Sequence, residues 1–216
     1  VASYSEADFS IGENRLINFI YDYLRKRNIY LTSQDLIIDL GCGPGNITEK
    51  LSLKWPNVNI IGIDGSYEMI LEAESRKKIE FTKNIFNNIR YLCADIKNID
   101  LGAITSLPRV SLLVSNSLVH HITHIDEFFN CIKHLSTKET IHFHKDLIRP
   151  IDENSAQALK DKCSNKFSEI LIKDYYASLK ASYNKEEIER KIIEKNLTSM
   201  NVVKDGEEYL ILYGKV

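Results

Sequence analysis

Short apolar runs alternate with amphipathic segments along most of the chain. Five runs have the length and β-branched content of buried strands, at 36–38, 58–63, 89–94, 110–114 and 139–146. The segments between them repeat apolar residues at helical spacing, at 11–27, from 46 onward, from 67 onward and at 126–135. Strands that alternate with helices predict a parallel sheet with right-handed crossovers and with helices on both faces.

The pattern changes after Pro150, because proline cannot continue the fifth strand. The segment 151–199 is longer than a crossover needs, and it predicts helices at 152–163, 168–181 and 185–195. Asn184 and Glu187 stand in capping-box positions before the last of these helices. Two final runs, at 200–203 and 209–213, predict an antiparallel hairpin. We therefore expect one domain over 1–216, with 151–199 a helical insertion that roofs the site.

A glycine-rich turn joins the first predicted strand to the next helix. Its sequence, Asp39-Leu-Gly-Cys-Gly-Pro-Gly-Asn46, places Gly41, Gly43 and Gly45 at alternate positions. Because glycine has no Cβ atom, such a turn can adopt positive φ angles and its backbone can approach a ligand closely. A nucleotide is the natural occupant. A tight turn that binds nothing is the alternative, although it would need fewer glycines.

Acidic residues follow the second and third predicted strands directly. Asp64 comes about 20 residues beyond the glycine turn, where a carboxylate can accept hydrogen bonds from both ribose hydroxyls. Ser66 can cap the following helix, and Met69 would present an apolar side chain near an adenine. Asp95 follows the third strand. Because parallel strands end at a common edge, we expect these residues to form one site; for Asp64 alone, a solvated turn residue is the alternative.

The turn from Asp39 to Asn46 resembles the first motif of the class I S-adenosylmethionine-dependent methyltransferases. The resemblance implies S-adenosyl-L-methionine as the cofactor, with Asp95 accepting from the adenine amino group. It also implies an α/β fold with a seven-stranded Rossmann-like sheet, mostly parallel, that ends in an antiparallel hairpin. The cofactor-binding residues that we predict are Asp39, Gly41, Cys42, Gly43, Gly45, Asp64, Gly65, Ser66, Met69, Asp95, Ile96 and Ser115.

Two other functions compete with a methyltransferase that acts on a small-molecule acceptor. A nicotinamide-dependent oxidoreductase would space its glycines G-x-G-x-x-G and would lack the terminal hairpin, so the G-x-G-x-G spacing of this chain disfavours it. A catalytically inactive protein that binds S-adenosylmethionine, or that serves as an interaction partner on the same fold, stays open at this point.

A closer resemblance extends over nearly the whole chain, to small bacterial methyltransferases of uncharacterised substrate. The shared segments are Asp8-Phe9-Ser10, Ser115-Asn116-Ser117 followed by His120-His121, and Asp146-Leu147 with Arg149-Pro150. The segment 4–10 lies where relatives place a lid over the cofactor. The aromatic residues of the insertion could line a substrate pocket, but their helical spacing favours core packing; they are Phe167, Tyr175, Tyr176 and Tyr183.

The reacting groups should follow the fourth strand. Methyl transfer from a sulfonium is an in-line displacement that depends mainly on holding the nucleophile about 3 to 3.5 Å from the methyl carbon. The D/N-P-P-Y/F segment of methyltransferases that act on exocyclic amines is absent here. We predict Asn116, His120 and His121 as catalytic residues, and we favour His121 as the general base because an imidazole titrates near neutral pH. A histidine that only bonds a backbone carbonyl is the alternative.

Composition agrees with one enzyme domain. The chain has 216 residues, 44% of them hydrophobic, and a formal net charge of -2, which offers no basic footprint for nucleic acid. The four cysteines are far apart and form no C-x-x-C pair, which suggests reduced thiols in the cytoplasm. No apolar stretch approaches the roughly 20 residues of a membrane span, so no membrane partner is expected. The oligomeric state cannot be predicted.

All six histidines lie between 120 and 144, which raises the question of a metal site. His142 and His144 share one face of a strand and could approach a three-ligand site with a third histidine. We expect no metal. Imidazoles and Lys145 are unusual in a buried strand, and a polar or edge-like fifth strand is one explanation.

Overall fold

The computed structural model describes residues 10–81, 86–100, 102, 110–164 and 167–216. Its helices are α1 (Ser10–Lys26), α2 (Asn46–Lys54), α3 (Tyr67–Phe81), α4 (Ile125–His134), α5 (Glu153–Cys163), α6 (Glu169–Ala181) and α7 (Lys185–Glu194). Its strands are β1 (Leu36–Leu40), β2 (Asn59–Asp64), β3 (Ile89–Cys93), β4 (Leu112–Asn116), β5 (Ile141–Leu147), β6 (Met200–Asp205) and β7 (Tyr209–Lys215). Residues 1–9, which include most of the expected lid, lie outside the described ranges.

The strands form one seven-stranded sheet in the order β3-β2-β1-β4-β5-β7-β6. The first five strands pair in parallel, whereas β7 runs antiparallel to both β5 and β6. This order confirms the predicted sheet and its terminal hairpin. The order in which strands are added reverses between β1 and β4, and such a switch point creates a crevice at the carboxyl edge of an open α/β sheet.

The core has two layers, one on each face of the sheet. Alternate residues of β1 divide between them: Ile37 packs with α1, α2 and α3, and Ile38 packs with α4 and α7. A β-strand sends successive side chains to opposite faces, so both faces of a central strand must be apolar. The helices therefore cover the sheet on both sides, as the alternating pattern predicts.

Strand β5 is an interior strand, so the edge-like explanation of its polar residues is wrong. It lies between β4 and β7, and all of its residues are buried. Its polar side chains are satisfied internally: His142 Nδ1 lies 3.2 Å from His144 Nε2, and His144 Nδ1 lies 2.9 Å from Ser115 Oγ. On the opposite face, Lys145 Nζ donates to the Gly12 carbonyl and pairs with Asp205. Buried polar groups are tolerated when they are paired in this way.

The insertion forms the three helices that its sequence predicts. Asp152 and Ser168 cap α5 and α6 through their side chains, and Asn184 with Glu187 forms the expected capping box of α7. Tyr175 packs against a small apolar cluster beneath these helices, in agreement with core packing. Helix α6 packs against a 3-10 turn, Val119–His121, which follows β4. Within the described ranges, no helix is long and apolar enough to cross a membrane.

Candidate active site

The glycine turn lies at the carboxyl end of β1, and its three glycines serve different purposes. All three have positive φ angles. A Cβ atom on Gly41 would lie 2.6 Å from Leu118 Cδ1, and one on Gly45 would overlap the Tyr91 hydroxyl. A Cβ atom on Gly43 would have no described atom within 4 Å. Gly41 and Gly45 are therefore required by the packing of the protein itself, and Gly43 faces open space that a ligand can use.

Asp64 at the end of β2 lies directly beside this turn. Its Oδ2 accepts a hydrogen bond from the Gly43 N–H at 2.9 Å, and its Oδ1 accepts one from the Ser66 N–H at 2.8 Å. Gly65 also faces open space, since a Cβ atom there would have no described atom within 4 Å. The Ser66 hydroxyl accepts from the Met69 N–H at 3.3 Å, so Ser66 caps α3 as predicted. The structure thus brings the glycine turn and Asp64 together.

Asp39 is buried beneath the turn, with 1% of its surface exposed. Its Oδ2 accepts from the Thr48 hydroxyl at 2.6 Å, and its Oδ1 has no hydrogen-bond partner among the described residues. Burial raises the pKa of this carboxyl to about 7, and the negative charges of Asp64 and Glu13 add to the effect. A buried carboxylate oxygen without a donor suits a positively charged or hydrogen-bonding ligand group.

The remaining predicted cofactor residues lie around the same edge. Asp95 is exposed and accepts from the Lys97 N–H at 3.0 Å, which begins a 3-10 turn at Ile96. Met69 is half-buried. Cys42 is buried, and burial raises the pKa of its thiol, so the thiol is uncharged near neutral pH. Ser115 is fully buried, with its hydroxyl 2.9 Å from His144 Nδ1, so it presents no exposed surface to a ligand.

The 3-10 turn after β4 presents the two candidate histidines differently. His120 Nδ1 lies 2.6 Å from Asp146 Oδ1, and only 4% of the His120 side chain is exposed. Asp146 at the end of β5 also accepts from the backbone N–H groups of Val119 and Leu147, at 2.6 and 2.8 Å. Asp146 therefore fixes both the turn and the His120 ring. Sequence reasoning did not identify Asp146 as a site residue, because only folding brings β4 and β5 side by side.

His121 is exposed, and its ring lies 4.1 Å from the His120 ring between centroids. Partial burial and the neighbouring His120 lower the pKa of His121 below its ordinary value. Asp146, Asp64 and Asp174 oppose this shift, so His121 lies within electrostatic range of both Asp64 and the Asp174 carboxylate of α6. A neutral imidazole in this position can accept a proton at neutral pH.

Asn116 and the histidine pair of β5 complete the predicted residues. Asn116 is half-buried at the end of β4, and its Nδ2 lies 3.4 Å from the Ser117 hydroxyl. His142 and His144 are hydrogen-bonded to each other. His142 is also hydrogen-bonded to Ser136, and His144 to Ser115. In the part of the chain that the structure describes, no three His, Cys, Asp or Glu side chains form a possible metal site.

Comparisons with known proteins agree with this geometry. A family model described as "Methyltransferase domain" matches residues 31–202. The chain is 55% identical over 40 residues to trans-aconitate 2-methyltransferase of Afipia carboxidovorans, covering 18% of this chain and 16% of that protein. It is 47% identical over 49 residues to the Yersinia pestis enzyme of the same name, covering 23% and 19%. These matches thus span less than a fifth of the relatives' length.

Solved structures extend the likeness to the whole fold. The plantazolicin methyltransferase BpumL, in complex with a pentazolic desmethylPZN analog and SAH, superposes with a TM-score of 0.72 at 17% identity, covering 100% of this chain and 89% of that one. A SAM-dependent methyltransferase from Aquifex aeolicus gives a TM-score of 0.65 at 14% identity, covering 99% and 96%. At these identities the likeness establishes a shared fold.

Proposed function

The chain belongs to the methyltransferase-domain family, within the class I S-adenosylmethionine-dependent methyltransferases, and from this we propose that it transfers a methyl group to a small-molecule acceptor. The observation that carries the proposal is the cradle at the carboxyl edge. There the Asp64 carboxylate accepts a hydrogen bond from the Gly43 N–H. Both Gly43 and Gly65, on either side of this carboxylate, face open space. A bound adenosine needs a carboxylate that accepts hydrogen bonds from its ribose hydroxyls. It also needs neighbouring backbone without side chains, so that it can approach the turn closely.

The residues present fit the cofactor at both ends. Asp64 keeps lone pairs for the ribose hydroxyls, because each of its oxygens accepts one backbone hydrogen bond within the described part of the chain. Asp95 is exposed to accept from the adenine amino group. The buried Oδ1 of Asp39 can accept from the ammonium of the amino-acid tail. When bound, S-adenosylmethionine supplies an electrophilic methyl group on a sulfonium that leaves readily as a thioether.

We assign the role of proton acceptor to His121 and a positioning role to His120. His121 is exposed and its pKa is lowered, so it is neutral and able to take a proton at neutral pH. His120 is nearly buried and bonded to Asp146, so it supports the ring of His121 and fixes the turn. Asn116, which ends β4 beside this turn, would orient the nucleophile.

A general base indicates an acceptor whose nucleophile carries a proton, such as a hydroxyl or an amine. A carboxylate acceptor, of the kind named for the trans-aconitate relatives, needs no base and would need free cations. Arg149, which follows β5, is already paired with Glu187 at 2.6 Å. The formal net charge of -2 argues against a nucleic-acid acceptor. A small neutral or weakly charged acceptor, roofed by the insertion 151–199 of a single domain, fits these observations.

We place the reaction in the cytoplasm. None of the four cysteines, which all lie in the described ranges, forms a disulfide. Disulfides are rare in the reducing cytosol, and this usage of cysteine is typical of it.

Two measurements test the function. Calorimetry with S-adenosylhomocysteine should show binding, and no binding to the folded protein would refute the cofactor assignment. Transfer of a labelled methyl group from S-adenosylmethionine to a metabolite library should give a product with hydroxyl or amine acceptors. Cofactor binding without any product across such a library would favour the alternative, a catalytically inactive cofactor-binding protein.

A further inference from the structure

The first residue of α2, Asn46, is held by side chains from two other helices. Its Nδ2 donates to Glu13 Oε1 of α1 at 3.0 Å, and its Oδ1 accepts from Arg76 Nη1 of α3. Arg76 Nη2 also pairs with Glu49 Oε2 of α2 at 2.7 Å. We call these four residues, Glu13, Asn46, Arg76 and Glu49, the Asn46 clamp. None of the four is among the predicted site residues, and three helices meet at the residue that directly follows the glycine turn.

The chemistry of the clamp leaves one orientation for the Asn46 amide. A guanidinium only donates hydrogen bonds and a carboxylate only accepts them, so Arg76 faces the amide oxygen and Glu13 faces the amide nitrogen. The other Glu13 oxygen, Oε2, lies 3.7 Å from Lys50 Nζ, which leaves Oε1 to Asn46. The Asn46 side chain cannot turn over without losing both bonds. Its orientation in turn restrains the backbone at the start of α2.

The first turn of α1 is itself attached on both sides of Glu13. Lys145 Nζ, on the buried strand β5, donates to the Gly12 carbonyl at 3.0 Å. Lys50 Nζ donates to Asn14 Oδ1 at 3.0 Å. Glu13, which is buried with 6% of its surface exposed, therefore reaches Asn46 from a helical turn that is anchored to the sheet and to α2.

The glycine turn needs such an anchor at its second end. Its first end is fixed because the Gly41 and Cys42 N–H groups both donate to the Ile63 carbonyl, at 2.7 and 3.0 Å. At its second end Gly45 begins α2 without a side-chain cap, since glycine has no side chain to supply one. Glycine loses more conformational freedom on ordering than any other residue, so a turn that became ordered only on binding would lower the affinity for its ligand. The Asn46 clamp orders this second end before a ligand arrives.

We propose that Asn46 is a positioning residue for the cofactor, and that Glu13 and Arg76 hold it so that the glycine turn keeps its binding geometry in the free protein. The Asn46 side chain acts through the backbone of Gly45 and Gly43, and it needs no contact of its own with the ligand. The apparent affinity of a ligand scales with the fraction of free protein that is in the binding geometry. The inference rests on the proposed function, because it needs the cofactor in this cradle.

Calorimetry with S-adenosylhomocysteine tests the clamp in the full chain. Asn46→Ala removes both bonds, while Arg76 keeps Glu49 and Glu13 keeps Lys50, so neither charged group loses its ionic partner. Affinity should fall about three- to tenfold, as expected for the net loss of an intramolecular hydrogen bond or two. Exchange of the Gly43 and Gly45 amide protons, followed by NMR, should be faster in the free variant than in the free wild type and slow again in the complex. Circular dichroism checks that the variant folds.

Two variants of Glu13 separate the hydrogen bond from the charge. Glu13→Gln keeps an acceptor oxygen for Asn46, so its affinity should stay within about twofold of the wild type. Glu13→Met has a side chain of similar length without that acceptor, and it should weaken binding. Combined with Asn46→Ala, it should cause no further loss, because both changes break the same bond. Arg15→Gln is the matched control: Arg15 lies on the same turn of α1 but pairs with Asp205 at 3.7 Å, so its replacement should leave the affinity unchanged.

The outcomes distinguish this inference from the proposed function. Wild-type affinity in folded Asn46→Ala would overturn the inference and leave the function intact. Equal weakening in Glu13→Gln and Glu13→Met, or additive losses in the double variant, would show that Glu13 does not act through its bond to Asn46. Equal weakening in Arg15→Gln would mean that any loosening of α1 lowers affinity, and the clamp would then have no role of its own. Failure of the folded wild-type protein to bind S-adenosylhomocysteine would refute the cofactor assignment and the inference with it.

Discussion

Replacing Gly43 with valine tests whether the cradle is shaped for a ligand or only for the turn. The change places a branched side chain in the open space in front of Gly43, where no described atom lies within 4 Å of an added Cβ. The φ angle of +53° at this position would also be strained, by roughly 1–2 kcal/mol for a residue with a Cβ. We therefore expect a folded protein of somewhat lower stability.

Binding should suffer more than folding. If the valine displaces the adenosine enough to break its charge-assisted hydrogen bonds with Asp64, each bond lost costs about 1.5–3 kcal/mol. Since about 1.4 kcal/mol is tenfold in affinity, the loss of one bond already weakens binding by about tenfold or more. Loss of both, with direct steric exclusion, should abolish measurable binding of S-adenosylhomocysteine.

The matched control is Gly41→Ala, whose added Cβ would lie 2.6 Å from Leu118 Cδ1. Here the strain of the positive φ is joined by overpacking, which costs typically about 1–3 kcal/mol, so the damage should appear in thermal unfolding. Calorimetry and thermal unfolding of both variants, measured together, separate the two effects. An unchanged dissociation constant in folded Gly43→Val would refute the reasoning, because it would mean that no ligand occupies the space in front of Gly43.

Three further predictions concern the ribose carboxylate, the base and the acceptor. Asp64→Asn should weaken S-adenosylhomocysteine binding at least tenfold in calorimetry, since charge-assisted hydrogen bonds become neutral ones, and equal affinity in a folded variant would remove Asp64 from the site. His121→Gln should lower turnover on an identified acceptor about 10²- to 10⁴-fold with cofactor affinity nearly intact, and full turnover would make the histidine structural. The wild-type rate should rise with pH through an apparent pKa below 6.5, because the active form is neutral and the pKa of His121 is lowered, and the rise should vanish in the variant. Gel shifts with RNA or DNA at physiological salt should show no binding, or weak binding that added salt removes, and tight salt-resistant binding would overturn the small-molecule acceptor.

Local patterns were sufficient to predict the helices and strands, and to predict that the glycine turn, Asp64 and the Ser66 cap lie close together. Glycine spacing, the acid after the second strand and the Ser66 cap depend on neighbours in sequence, and the structure places Asp64, Gly43 and Ser66 in contact. The sheet order follows from alternation, chirality and the resemblance to a known family. Which of the predicted residues actually bind the cofactor, and which histidine acts as the base, stay predictions.

Other features depend on residues that meet only after folding. Asp146 and His120 are far apart in sequence, and their contact exists because β4 and β5 pair side by side. Glu13 on α1 accepts a hydrogen bond from the Asn46 side chain, although 33 residues separate them in sequence. The polar residues of β5 suggested an edge strand, because periodicity alone cannot show that two buried imidazoles form a hydrogen bond with each other. Such contacts leave no periodic signal in the sequence.

The alternation of polar residues along β5 also has a consequence for how the chain reaches this fold. His142 and His144 lie on one face with Asp146, and Lys145 lies on the other, where it reaches Asp205 and Gly12. A slip of one residue against β4 or β7 would exchange the faces, leaving an ammonium among apolar side chains and a carboxylate without its donors. A strand of purely aliphatic residues would tolerate that slip far better. The same groups that make β5 unusual therefore reject misaligned pairings during folding.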